Sequence, residues 1–136
     1  MSLKWDEAAM ATGVAEVDQQ HQKLIDHLNE LFRLMREGHG KEGIDSFVDF
    51  LTDYADTHFR HEEGCMTAYR CPVAAANKIQ HMQFMRLLGG YRKRLQDEGP
   101  TGSLAIEVQH TVGEWIRNHI IKTDTHLRSC VKAASA

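Results

Sequence analysis

The residues of this chain that most directly suggest chemistry lie in His58-Phe59-Arg60-His61-Glu62-Glu63. They close a run in which Ile44, Phe47, Val48, Leu51, Tyr54, Ala55 and Phe59 recur at three- and four-residue steps, the spacing of one face of an α-helix. His58 and Glu62 continue that apolar stripe. A face that buries hydrocarbon for four turns therefore ends by pointing an imidazole and a carboxylate inward, one turn apart. A buried carboxylate is costly unless a cation meets it, and a metal ion would meet both groups.

Other helical stripes supply matching groups. The sequence predicts a first helix from Gln19 to Glu37, with Asp18 as N-cap and His21, Leu24, Ile25, Leu28, Leu31, Phe32 and Met35 inward. A second runs from Lys41 to Met66. A third, Val73 to Gln96, turns Asn77, His81, Phe84, Leu88, Tyr91 and Leu95 inward. A fourth, Ser103 to Lys122, does so with Val108, Val112, Trp115, Ile116 and His119, and a tail segment from Asp124 to Val131 follows. Residues 1–18 read as an irregular arm broken at Gly13, with Trp5 and Val14 as anchors. Gly38-His39-Gly40 and Gly99-Pro100 read as turns. Four amphipathic helices with short connections imply an all-α, antiparallel, up-down-up-down four-helix bundle, a single domain over residues 1–136.

One histidine on an apolar stripe is usually a hydrogen-bonded core residue. Here each bundle helix offers one: His21, His58, His81 and His119. Glu62 and Asp124 lie in register with them. Imidazole with carboxylate suits iron, zinc or manganese, and a set too large for one tetrahedral ion suggests two metals bridged by the carboxylates. Leu28, Trp115, Ile116 and Ile120 could wall an apolar pocket beside them. His27, His39, His110 and His126 read as outer residues, and Met10, Met35, Met66, Met82 and Met85 as packing.

The remaining composition narrows the function. Net charge is −3 over 136 residues with both signs scattered, which argues against a nucleic-acid groove or a polybasic membrane patch. No apolar run approaches a membrane span, and Met1-Ser2-Leu3-Lys4-Trp5-Asp6 has no signal-peptide character. Three cysteines, Cys65, Cys71 and Cys130, without CxxC spacing read as reduced thiols, hence a cytoplasmic location. No nucleophile, acid–base pair or phosphate loop supports a further chemistry.

From Trp5 to Asp124 the chain resembles the bacterial hemerythrins. The matching pieces are Trp5, Gly13, Val17-Asp18-Gln19-Gln20-His21, His58-Phe59-x-x-Glu62-Glu63-x-x-Met66, His81-x-x-Phe84 and Trp115-Ile116-x-Asn118-His119-Ile120-x-x-x-Asp124. The resemblance implies a non-haem di-iron centre that binds dioxygen. It would place His21 and His58 on one iron and His81 and His119 on the other. Glu62 and Asp124 would bridge them, with an oxo or hydroxo group between.

At one position the chain departs from the family. The family has two histidines four apart on the third helix, and here the first of these is Asn77. A neutral amide is a poor iron ligand, so the vacated position is expected to hold water or a small anion rather than His61 or Glu63. Such an open position favours sensing over storage. The expected function is a dioxygen-binding, redox-sensing module controlling a fused or partner output such as a diguanylate cyclase. The alternatives are enzyme-like turnover of peroxide or nitric oxide, or plain oxygen storage or iron handling.

Overall fold

The computed structural model describes residues 3–135; the sequence reading of Met1, Ser2 and Ala136 lies outside the described residues. The elements are α1 (Glu7–Met10), α2 (Ala15–Arg36), α3 (Gly40–Ala68), α4 (Ala74–Glu98), α5 (Gly102–His119), a π-helical turn (Ile120–Asp124) and α6 (His126–Ser135). The four long helices α2 to α5 form the antiparallel bundle expected from their stripes. α3 packs on α2, α4 and α5, and α2 also packs on α5. None of the described helices is long and apolar enough to cross a membrane.

The core follows the apolar periodicity. Leu24, Leu28, Leu31, Ile44, Val48, Leu51, Phe84, Leu88, Val108, Val112 and Ile116 are buried in one cluster. Met10 and Met66 are buried as expected, but Met82 is 53% exposed on the outer face of α4. Thr101 starts α5 by accepting a hydrogen bond from the Leu104 N–H at 3.1 Å. Gly99 ends α4 at φ 75°, a conformation that costs glycine little.

The arm is more ordered than its sequence suggests. Asp6 caps the short α1 by accepting from the Ala8 and Ala9 N–H groups. Leu3 and Asn29 exchange two hydrogen bonds, 2.8 and 2.7 Å, which pin the arm to α2. α2 begins at Ala15, earlier than expected, with Val14 at its N-cap position. Asp18 is therefore not the cap. It lies inside the first turn and accepts from the Thr12 N–H and hydroxyl at 2.9 and 2.8 Å, where a negative charge also suits the helix dipole.

The cysteine reading needs correction. Cys71, just after α3, and Cys130, on α6, form a disulfide, and only Cys65 is a free thiol. With Val17, Met66 and Leu127 the pair builds a second small core under α6. Arg128 donates to the Ala11 carbonyl at 2.9 Å, so α6 is also fastened to the arm.

The fourth helix does not run on to Lys122 as an α-helix. After His119 the backbone widens, and the Thr125 N–H reaches the Ile120 carbonyl at 3.1 Å, a five-residue step. In a regular α-helix a residue five along would sit roughly 140° around the axis from His119. The π turn brings Asp124 back to the face of His119. Such single turns recur at functional sites.

Candidate metal centre

Six side chains on five helical segments converge near one end of the bundle. His21 comes from α2, His58 and Glu62 from α3, His81 from α4, His119 from α5 and Asp124 from the π turn. All six are at most 5% exposed. Their ligand atoms form two overlapping groups, His21, His58, Glu62 and Asp124, and Glu62, His81, His119 and Asp124, with the atoms of each within 4.8 Å of one another.

Each carboxylate is shared between the groups through different oxygens. Glu62 Oε2 lies 3.1 Å from His21 Nε2 and 3.4 Å from His58 Nε2, while Oε1 lies 3.2 Å from His81 Nε2 and 3.8 Å from His119 Nε2. Asp124 Oδ2 lies 3.0 Å from His21 Nε2 and Oδ1 lies 3.0 Å from His119 Nε2. That is the arrangement of two carboxylates offering one oxygen to each of two cations.

The hydrogen bonds behind the rings decide what the front can do. Nδ1 of His58 lies 2.6 Å from Gln20 Oε1, Nδ1 of His119 2.6 Å from Gln80 Oε1, and Nδ1 of His81 2.8 Å from Glu63 Oε2. These oxygens can only accept, so each Nδ1 carries a proton and each Nε2 is turned to the centre, where a metal ion can take its lone pair. His81 Nε2 and His119 Nε2 face each other at 3.0 Å, and at most one proton can lie between them. Glu62 Oε1 and both Asp124 carboxylate oxygens are buried without a hydrogen bond. Lone pairs crowded together in a dry site call for cations, and this donor set fits two metal ions.

Electrostatics give the same answer. Burial lowers His21, but nearby Asp124 and Glu62 outweigh it and raise its pKa to about 10. Burial likewise opposes Asp124 and Glu62 at His119, whose pKa rises to about 9. His58 moves down, chiefly through burial. Burial would raise Glu62, yet the imidazoles around it, His119 foremost, hold it well below the ordinary carboxylate range. The pocket demands positive charge, and metals would displace the protons that otherwise supply it.

Aromatic rings fix the planes of two ligands. Phe59 stacks on His81 with centroids 3.8 Å apart and planes 5° apart, and Trp115 stacks on His119 at 4.4 Å and 13°. A cavity of about 10 Å³, room for one water-sized molecule, lies beside the imidazoles. Trp115, Ile116, Ile120, Leu24 and Phe59 line it on its apolar side. Leu28 does not. It is 1% exposed in the core and borders an outer recess shared with Leu3, Gln109 and His110.

Sequence reasoning missed Gln20 and Gln80. A signal was present: each directly precedes a site histidine, in Gln20-His21 and Gln80-His81. Each dipeptide supplies one inward imidazole and braces the histidine of another helix. Of the other two residues weighed as ligands, His61 faces Glu16 and Cys65 outside the centre, and Glu63 bonds only the rear of His81. Asn77, one turn before His81, is wholly buried, and both its amide nitrogen and its oxygen lack a hydrogen-bond partner.

Known proteins resemble this chain in sequence and fold. Residues 12–129 match the model of the hemerythrin HHE cation-binding domain. The bacteriohemerythrin of Stenotrophomonas maltophilia is 30% identical over 121 residues, covering 89% of this chain and 76% of that protein. The bacteriohemerythrin of Methylococcus capsulatus is 29% identical over 133 residues, 96% and 98% of the two chains. A crystal structure of wild-type hemerythrin superposes with a TM-score of 0.81 at 26% identity, covering 95% of this chain and 97% of its own. With a family match spanning most of its length and a donor set fitted to two metals, the chain belongs to the hemerythrin family and is a non-haem, di-iron, oxygen-binding domain.

Proposed function

We propose that this is a redox-sensing hemerythrin domain whose state is read by a fused or partner signalling output, such as a diguanylate cyclase. In this reading residues 1–136 form one domain. His21 and His58 would hold one iron and His81 and His119 the other, with Glu62 and Asp124 shared between the two groups. When bound, the iron pair supplies the redox change that dioxygen binding requires.

The rest is done by the chain itself. Gln20, Gln80 and Glu63 keep the Nδ1 protons of His58, His119 and His81, so the Nε2 lone pairs stay aimed inward. Phe59 and Trp115 hold two rings in plane. Leu24, Ile116 and Ile120 keep bulk water from the small cavity.

Asn77 carries the sensing part of the reading. A buried amide with neither donor nor acceptor satisfied costs on the order of 1–3 kcal/mol per group. Water or a small anion, in the position where the family has an imidazole, would satisfy it and leave that iron open to exchange. Such an open position would let an oxidant reach the metal directly, an effect of access that outweighs ligand donation, which suits a sensor and not a store. In a cytoplasm, a bond such as Cys71–Cys130 would itself respond to redox state. The test is stopped-flow mixing of diferrous protein with aerated buffer. Asn77→His should slow the oxidation; equal rates in the two proteins would remove the argument for sensing.

A further inference from the structure

The four inward imidazoles are not braced alike. His58 and His119 are backed by neutral amides, Gln20 and Gln80. The rear nitrogen of His21 has no partner. Only His81 is backed by a carboxylate, Glu63, at 2.8 Å. His81 is also the histidine whose helix lacks the second imidazole, since Asn77 stands one turn before it. The anionic brace and the missing ligand therefore fall on the same side of the centre.

We infer that Glu63 is a positioning residue that tunes the iron pair through His81, offsetting the electron donation lost at Asn77. The inference rests on the metal assignment proposed above. A hydrogen bond from Nδ1–H to a carboxylate pushes charge into the ring and makes Nε2 a stronger donor than an amide brace does. A stronger donor favours the ferric state. The geometry keeps this carboxylate's charge available to the ring. Arg60, nearby, pairs with Asp56 at 3.3 Å, and Glu63 has no Lys or Arg partner among the described residues. Phe59, stacked on His81, prevents the ring from turning away from Glu63. A groove of about 450 Å³ between α3 and α4, lined by Glu63, His81, Arg60 and Arg86, opens onto the pair, so the brace lies where solvent or a reductant can reach it.

The test separates charge from positioning. Glu63→Gln keeps an accepting oxygen and removes the charge. It should still bind two irons, its reduction potential should rise, and its diferrous form should survive aeration about tenfold longer, the low end of effects seen for such outer partners. Gln20→Glu places a carboxylate behind His58 and should shift the potential the other way. Histidine nitrogen NMR of the metal-free protein reads the bond without iron: the His81 Nδ1 proton should remain in Glu63→Gln and move to higher field. Unchanged potentials in both variants, with two irons bound, would overturn the inference. So would a His81 proton resonance identical to that of wild type. Wild-type protein that fails to bind two irons would instead sink the metal assignment.

Discussion

Gln80 Oε1 sits 2.6 Å from Nδ1 of His119. The same oxygen accepts from the Thr123 hydroxyl at 3.0 Å, so one amide on α4 steadies both the end of α5 and the π turn that carries Asp124. Gln80→Leu breaks both contacts and frees the His119 ring to change tautomer. Its affinity for ferrous iron should fall 10- to 100-fold, as expected for loss of an outer hydrogen bond to a metal-binding histidine. Competition against a chelator would measure it, and affinity equal to wild type would deny Gln80 that role.

The metal-free protein should lose stability as pH rises. His21 and His119 have pKa values raised from 6.5 to about 10 and about 9, so both bind protons more tightly folded than unfolded. Their contribution is complete below 6.5 and is lost as pH climbs through 9 to 10. Glu62 has the opposite sign. Its lowered pKa helps the fold above 4.5 and fails below that value. Urea midpoints of chelator-treated protein should fall as pH rises above 6.5, and should fall again on the acid side, where Glu62 takes up protons and the lowered pKa of His58 adds to the loss. Metal should abolish the alkaline loss, because cations then replace the protons. A metal-free protein equally stable from 6.5 to 10 would contradict the charge argument.

The bond between Cys71 and Cys130 closes a loop of sequence separation 59. Loop-closure entropy for that length corresponds to about 4 kcal/mol, and natural bridges of this kind contribute about 2–4. Replacing both cysteines with alanine should therefore lower unfolding stability by about 2–4 kcal/mol and loosen α6 first. Urea denaturation with hydrogen exchange on α6 would show this. An unchanged midpoint would mean that the bond adds nothing.

The four long helices and the six inward polar residues were legible because both follow from one regular signal, apolar residues at helical steps. His58 and Glu62 stood out because they continue that stripe with the wrong chemistry. What stayed hidden depends on relations between distant segments. The π turn leaves no mark in the apolar pattern, so the reason Asp124 shares a face with His119 had to come from the backbone. Gln20 and Gln80 brace rings on other helices, a relation fixed only once the bundle has packed. Cys71 and Cys130 lie far apart in sequence and meet only because α6 folds back under α3. Asp18 looked like a cap, but Thr12, six residues earlier, captures its carboxylate.

Two irons held by these six residues would lie in unlike surroundings, one of them short of an imidazole at Asn77. The Mössbauer spectrum of the diferrous protein, recorded with iron analysis on the same sample, would resolve the two. Two irons per chain and two quadrupole doublets of equal area are expected, and the doublets should draw closer together in Asn77→His. One iron per chain, or a single doublet that Asn77→His leaves unchanged, would contradict that arrangement.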